Sequence, residues 1–172
     1  MSEPDLPAPA PTAPDPTACV PLLVRRRIEA EFARGLYAQM KADLGEETAR
    51  RVLTAAVGRL AREAGAALGA QAPGGRPDLV SFRDIQQAWK AEDALTVEEL
   101  AATPTAFDFN VTNCRYAEMY RELGLAELGS ILSCNRDGAF CQGYDPNITM
   151  TRTQTRMDGA PFCDFRFRRA PD

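Results

Sequence analysis

Histidine is missing altogether from the 172 residues. No Cys–His dyad, Ser–His–Asp triad or His-ligated metal can be built, which leaves thiols, carboxylates and guanidinium groups as the reactive inventory. Long apolar runs are missing too: nothing approaches the ~20 residues that a membrane-spanning helix needs. The net charge of −4 gives no basic surface, so neither nucleic acid nor a membrane is expected as a partner. The trio Arg25, Arg26 and Arg27 reads as the solvated side of a helix rather than a phosphate clamp. The acidic, proline-rich start has no basic segment followed by an apolar one, hence no secretory signal. Five cysteines, an odd number, then read as reduced thiols in a cytoplasmic protein. Those at 114, 134, 141 and 163 form no close pair of the C-x₂₋₄-C kind. No metal or cofactor is expected, with a Cys-ligated metal domain kept as an alternative.

What is present divides the chain in two. Residues 1–20 are rich in Pro and Ala and predict a disordered arm ending near Cys19. Residues 21–172 suit a single α+β domain, with a helical part over 21–92 and a motif-bearing part over 93–168. Ile28, Phe32, Leu36, Met40 and Leu44 recur every four residues and predict the buried face of a first helix that Gly45 stops. Val52, Ala56, Leu60, Ala64 and Leu68 predict the same for a second helix. The alanines would let the two pack as an antiparallel hairpin. Ser81 and Asp84 have the spacing of a capping box for a third helix burying Phe82, Ile85 and Trp89. Phe107, Phe109 and Val111 alternate as a strand should, while 94–100 fits strand or helix. Helix is expected again over 114–124 and 126–132. Residues 148–157 and 163–167 predict two strands joined at the Asp158-Gly159 turn. The expectation is a small antiparallel sheet with helices on one face.

Tyr116, Met119, Tyr120 and Leu123 form the apolar stripe of the helix over 114–123. At 100° per residue Cys114 falls on the other side, with Glu118 and Arg121. In the first turn after an N-cap at Thr112 or Asn113, backbone N–H groups would lower its pKa, and Glu118 could exchange a proton with it. Cys134-x-x-Asp137 pairs a thiol with an acid, although Asp at that spacing also caps turns. Cys163, Phe165 and Phe167 share a strand face, which by pattern alone makes Cys163 a core residue. Asp164 points the other way. Arg152 on the preceding strand suits a carboxylate clamp.

The motifs Val111-Thr-Asn-Cys114-Arg-Tyr-Ala-Glu-Met-Tyr120, Cys134-Asn-Arg-Asp137, Gly143-Tyr-Asp-Pro146, Arg152-Thr-Gln-Thr155 and Cys163-Asp-Phe-Arg-Phe167 fall in a characteristic order. Over about 106–168 the chain resembles the L-2-amino-thiazoline-4-carboxylic acid hydrolase family. The resemblance implies hydrolytic opening of a small ring that carries a carboxylate and an amidine-like C=N carbon, giving an N-carbamoyl-cysteine product. It singles out Cys114, Cys134, Asp137, Arg152, Thr153, Cys163 and Asp164. Chemistry then suggests a nucleophile at Cys114 or Cys134 with Asp137 as acid/base, and Glu118, Cys163 and Asp164 as further catalytic candidates. Activation of water by a carboxylate is the alternative route. Arg152, Thr153 and Asn113 would bind a small-molecule substrate. A non-catalytic ligand-binding or sensor domain is the competing class, and the oligomeric state is open, a homodimer being allowed.

Overall fold

The computed structural model describes residues 19–170, so the Pro/Ala-rich arm, apart from its last two residues, lies outside the described residues. Two long helices come first, α1 (Leu22–Leu44) and α2 (Glu46–Gly69). Gly45 joins them with φ 81°, a left-handed conformation that costs glycine least, and its N–H caps Lys41 O. Short helices α3 (Leu79–Ile85) and α4 (Gln87–Lys90) lead to strands β1 (Leu95–Ala102) and β2 (Ala106–Cys114). Helices α5 (Arg115–Glu122), α6 (Ala126–Gly129) and α7 (Asn135–Tyr144) come next. Strands β3 (Ile148–Thr151) and β4 (Cys163–Arg169) close the fold. The sheet is antiparallel in the order β1-β2-β4-β3, and the fold is α+β. Among the described residues no helix is long and apolar enough to cross a membrane.

The two-residue period of the strands separates oil from charge. Phe107, Phe109 and Val111 of β2 face Phe167, Phe165 and Cys163 of β4, all buried. The rings of Phe109 and Phe165 stack at 4.9 Å. On the other face Arg168 pairs with Asp108, and Arg166 donates to Asn110 Oδ1 at 3.0 Å.

Glycine decides how the helices meet. A Cβ on Gly65 would lie 2.2 Å from Phe140 O, one on Gly69 2.3 Å from Tyr144 O, and one on Gly143 2.1 Å from Arg62 O. Backbones of α2 and α7 therefore touch, and α2 must turn its small face inward. This overturns the expected buried rows. Val52, Leu60 and Leu68 are exposed, whereas Leu53, Val57 and Ala61 are core. On α1 the core face is Ala30, Ala33 and Tyr37, while Ile28, Phe32, Leu36 and Leu44 are exposed, Phe32 by 76%. Spacing found the rows; close approach chose the other face.

Three further expectations change. The capping box of α3 is Asp78 with Ser81, not Ser81 with Asp84: Ser81 N–H donates to Asp78 Oδ1 at 2.7 Å and Asp78 N–H to Ser81 Oγ at 3.1 Å. The strand starting at Ile148 stops at Thr151 instead of running to 157. Asp164 captures the N–H groups of Thr153 (3.0 Å) and Gln154 (2.9 Å), which turns the chain off the sheet. And α7 is a helix that the pattern did not reveal.

Gly143→Ala should destabilise the protein although alanine is the better helix former by ~1 kcal/mol. Overpacking of about 1–3 kcal/mol should win, lowering the midpoint of thermal unfolding by several degrees. An unchanged or raised midpoint would mean that the two backbones are further apart than described.

Candidate active site

Between α6 and α7 the helix widens into a π-type turn over Ser130–Cys134, in which Asn135 N–H reaches Ser130 O, five residues back. Such a turn inserts a residue and re-aims the side chains beyond it. Here it sets Cys134 and Asp137 on the wall of a cavity of about 300 Å³ between the helical layer and the sheet. Cys114 at the end of β2 and Cys163 at the start of β4 reach the same cavity, as does Arg152 from the loop after β3. Three thiols and one carboxylate thus converge from separate segments of the chain. The other walls are largely apolar, with Ile85 and Trp89 from the α3–α4 region, Phe140 from α7 and Phe165 from β4.

Asp137 and Arg152 form the charged centre. Arg152 Nη1 donates to Asp137 Oδ2 at 2.6 Å, Nη2 donates to Cys134 O at 3.1 Å, and the guanidinium lies 4.9 Å from the Phe165 ring centre. Both amino groups are therefore committed within the protein. Burial pushes the Asp137 carboxyl up, and Arg152 offsets only part of this. Burial also works against the Arg152 cation, yet Asp137 holds it above its ordinary value. The result is a carboxylate poised to accept or return a proton, held in place by a fixed cation.

The thiols lie on the protonated side. Burial pushes Cys114 up to about 11, outweighing the backbone N–H groups of Ala117 and Tyr116 that act to lower it. Cys134 is raised by burial and then by the Asp137 charge. Cys163 is raised by burial even though Arg156 N–H donates to its Sγ at 3.1 Å. The expected lowering of the Cys114 pKa is thus overturned. Cys114 is also not in the first turn of α5: it ends β2 and occupies the N-cap position without closing a cap hydrogen bond. Cys141, fully buried on α7, gives its S–H to Ile148 O at 3.6 Å, away from the cavity wall.

The remaining candidates stand elsewhere. Glu118 is half-buried on α5 and Asn113 half-buried on β2, and neither lines the cavity. Thr153 is exposed, its Oγ1 bound to Asp164 Oδ2 at 2.7 Å. Burial works to raise Asp164, but the hydrogen bonds from Thr153 and Gln154 leave it lowered, so it fixes the loop that carries Arg152. Among the described residues no three Cys, Asp or Glu groups come together so as to hold a metal ion, and the metal-domain alternative lacks a ligand set. The sequence reading missed Arg25, Arg26 and Arg136 on the cavity wall. The signal was there in the Arg25–Arg27 run, but a charge run says nothing of which members turn inward.

With burial holding the late thiols protonated, iodoacetamide at neutral pH should label exposed Cys19 before Cys114, Cys134 or Cys163. Peptide mapping over a time course checks the order. Faster labelling of Cys114 would mean that the helix end outweighs burial.

No curated protein matches the chain. Among solved structures it is similar to the phenol-responsive sensory domain of the transcription activator PoxR with phenol (TM-score 0.53, 14% identity, 81% of this chain and 73% of that one). It is also similar to a trafficking protein particle complex subunit 3 from Naegleria fowleri covalently bound to palmitic acid (TM-score 0.52, 10% identity, 86% and 96%). At such identities these likenesses describe the fold alone. The family model described as L-2-amino-thiazoline-4-carboxylic acid hydrolase matches residues 25–167, a span holding all but the first three residues of α1, the π-type turn and both residues of the cavity's charged centre. The chain belongs to the L-2-amino-thiazoline-4-carboxylic acid hydrolase family.

Proposed function

We propose that this chain hydrolyses a small carboxylate-bearing ring at an amidine-like or amide carbon, with Asp137 as acid/base and Cys114 as the attacking group. The observation that carries this reading is the meeting of Cys114, Cys134, Cys163 and the Asp137–Arg152 pair on one cavity. The family name supplies the reaction class. In the step proposed, the Cys114 sulfur adds to the ring carbon while Asp137 takes the thiol proton. Asp137 then returns that proton to the ring atom that leaves. Water displaces the sulfur from the open-chain adduct, its oxygen staying on the carbon. For a thiazoline giving N-carbamoyl-cysteine, the bond that breaks joins this carbon to the ring sulfur; for a cyclic amide it is the C–N bond. Arg152 serves as a positioning residue for Asp137 rather than as the substrate's clamp. A cytoplasmic setting would keep the thiols reduced.

A second reading has its own support. The walls are largely apolar and burial disfavours every cavity thiolate, which would suit a non-catalytic ligand-binding domain. One similar structure is described as a phenol-responsive sensory domain. Thiazolines, hydantoins and aromatic ligands that raise the unfolding temperature without any product by mass spectrometry would favour this reading.

Asp137→Asn should lower kcat/KM by on the order of 10²–10⁴, the range for losing a general acid/base. In the parent protein kcat/KM should rise on a limb displaced upward from the ordinary carboxylate range, because Asp137 must be ionised to take the proton. It should then stay level through neutral pH and change next near the Cys114 value of about 11. A limb that survives in Asp137→Asn would remove Asp137 from the role. Arg152→Lys should lower kcat more than it raises KM, and the opposite split would restore Arg152 as the clamp.

A further inference from the structure

We infer that Arg25 is the receptor for the substrate's carboxylate, an assignment that rests on reading the cavity as the substrate site. Four arginines line this cavity: Arg25, Arg26, Arg136 and Arg152. Three are occupied. Arg26 donates to both oxygens of Glu29 at 2.8 Å. Arg136 donates to Glu29 Oε2 at 2.8 Å and to Leu132 O at 2.7 Å. Arg152 holds Asp137 and Cys134 O. Arg25 is different: its side chain has no hydrogen-bond or ion-pair partner among the described residues, and because its Nε is shielded from solvent an anion in the cavity would meet its terminal Nη groups. A half-buried guanidinium without a counter-ion carries a desolvation cost that an anionic ligand at those groups would offset. The planar fork of arginine suits two parallel bonds to a carboxylate.

The cavity therefore recognises a carboxylate attached to an apolar or weakly polar ring. Arg25 on α1 would take the anion, leaving the thiols and Asp137 to the ring. Trp89, the single tryptophan of the chain, lines the same cavity, so its fluorescence reports occupancy without turnover. The test titrates 2-aminothiazole-4-carboxylate, an aromatic ring that resists opening, and its neutral carboxamide. The parent protein should prefer the acid by about 10- to 100-fold, the span of a charge-assisted pair. Arg25→Met should abolish that preference while leaving carboxamide affinity unchanged, and Arg25→Lys should restore part of it. An acid preference that persists in Arg25→Met, or none in the parent protein, would overturn the assignment. Failure of the hydrolytic reading is a separate result: acid preference that depends on Arg25, with no product from any thiazoline.

Discussion

Everything in the site depends on how closely two helix backbones approach. Gly65 and Gly69 of α2 meet Phe140 O and Tyr144 O, and Gly143 of α7 meets Arg62 O, at separations with no room for a methyl group. That contact sets the height of α7 above the sheet and therefore the place of Asp137, in the first turn of the helix after the π-type turn. It also fixes which face of α2 is buried, leaving Val52 and Leu60 exposed while Ala64 and Leu68 line the cavity. The chain gives up helix propensity at these glycines and gains a helix pair that carries Asp137 on the cavity wall.

The second governing interaction is the Asp137–Arg152 pair. A charge in an apolar cavity is costly unless it is paired and hydrogen-bonded. Arg152 meets this condition on both sides, through Asp137, Cys134 O and the face of Phe165. Its own loop is in turn held by Asp164 through Thr153 and Gln154. Asp164 and Thr153 thus act on the cavity at one remove, by fixing the loop from which Arg152 reaches it.

Much of this was legible in the sequence. The alternation of Phe107, Phe109 and Val111 gave the inner face of β2, and the family motifs marked Cys114, Cys134, Asp137, Arg152 and Cys163, which share the cavity. Three things were not legible, for separate reasons. Periodicity identifies an apolar row but cannot say whether a small-residue face will be preferred for close packing, so the faces of α1 and α2 came out reversed. In α7, Gly138 and Gly143 imitate a loop, and at Gly143 a glycine needed for close approach looks like one needed for a turn. The inward turn of Arg25 and Arg26 depends on where α1 lies against α2 and α5, which no local pattern encodes. Thiol electrostatics failed likewise: proximity to a helix start argued for a lowered Cys114 pKa, whereas the surrounding core determines it.

The central claim is that this cavity performs hydrolysis rather than binding alone. The most direct measurement incubates the full chain with L-2-amino-thiazoline-4-carboxylate in heavy-oxygen water and tracks the mass of small-molecule products. The account predicts N-carbamoyl-cysteine carrying one solvent oxygen, formed by the parent protein and not by Asp137→Asn. A ligand that changes Trp89 fluorescence yet is recovered intact after prolonged incubation would contradict it.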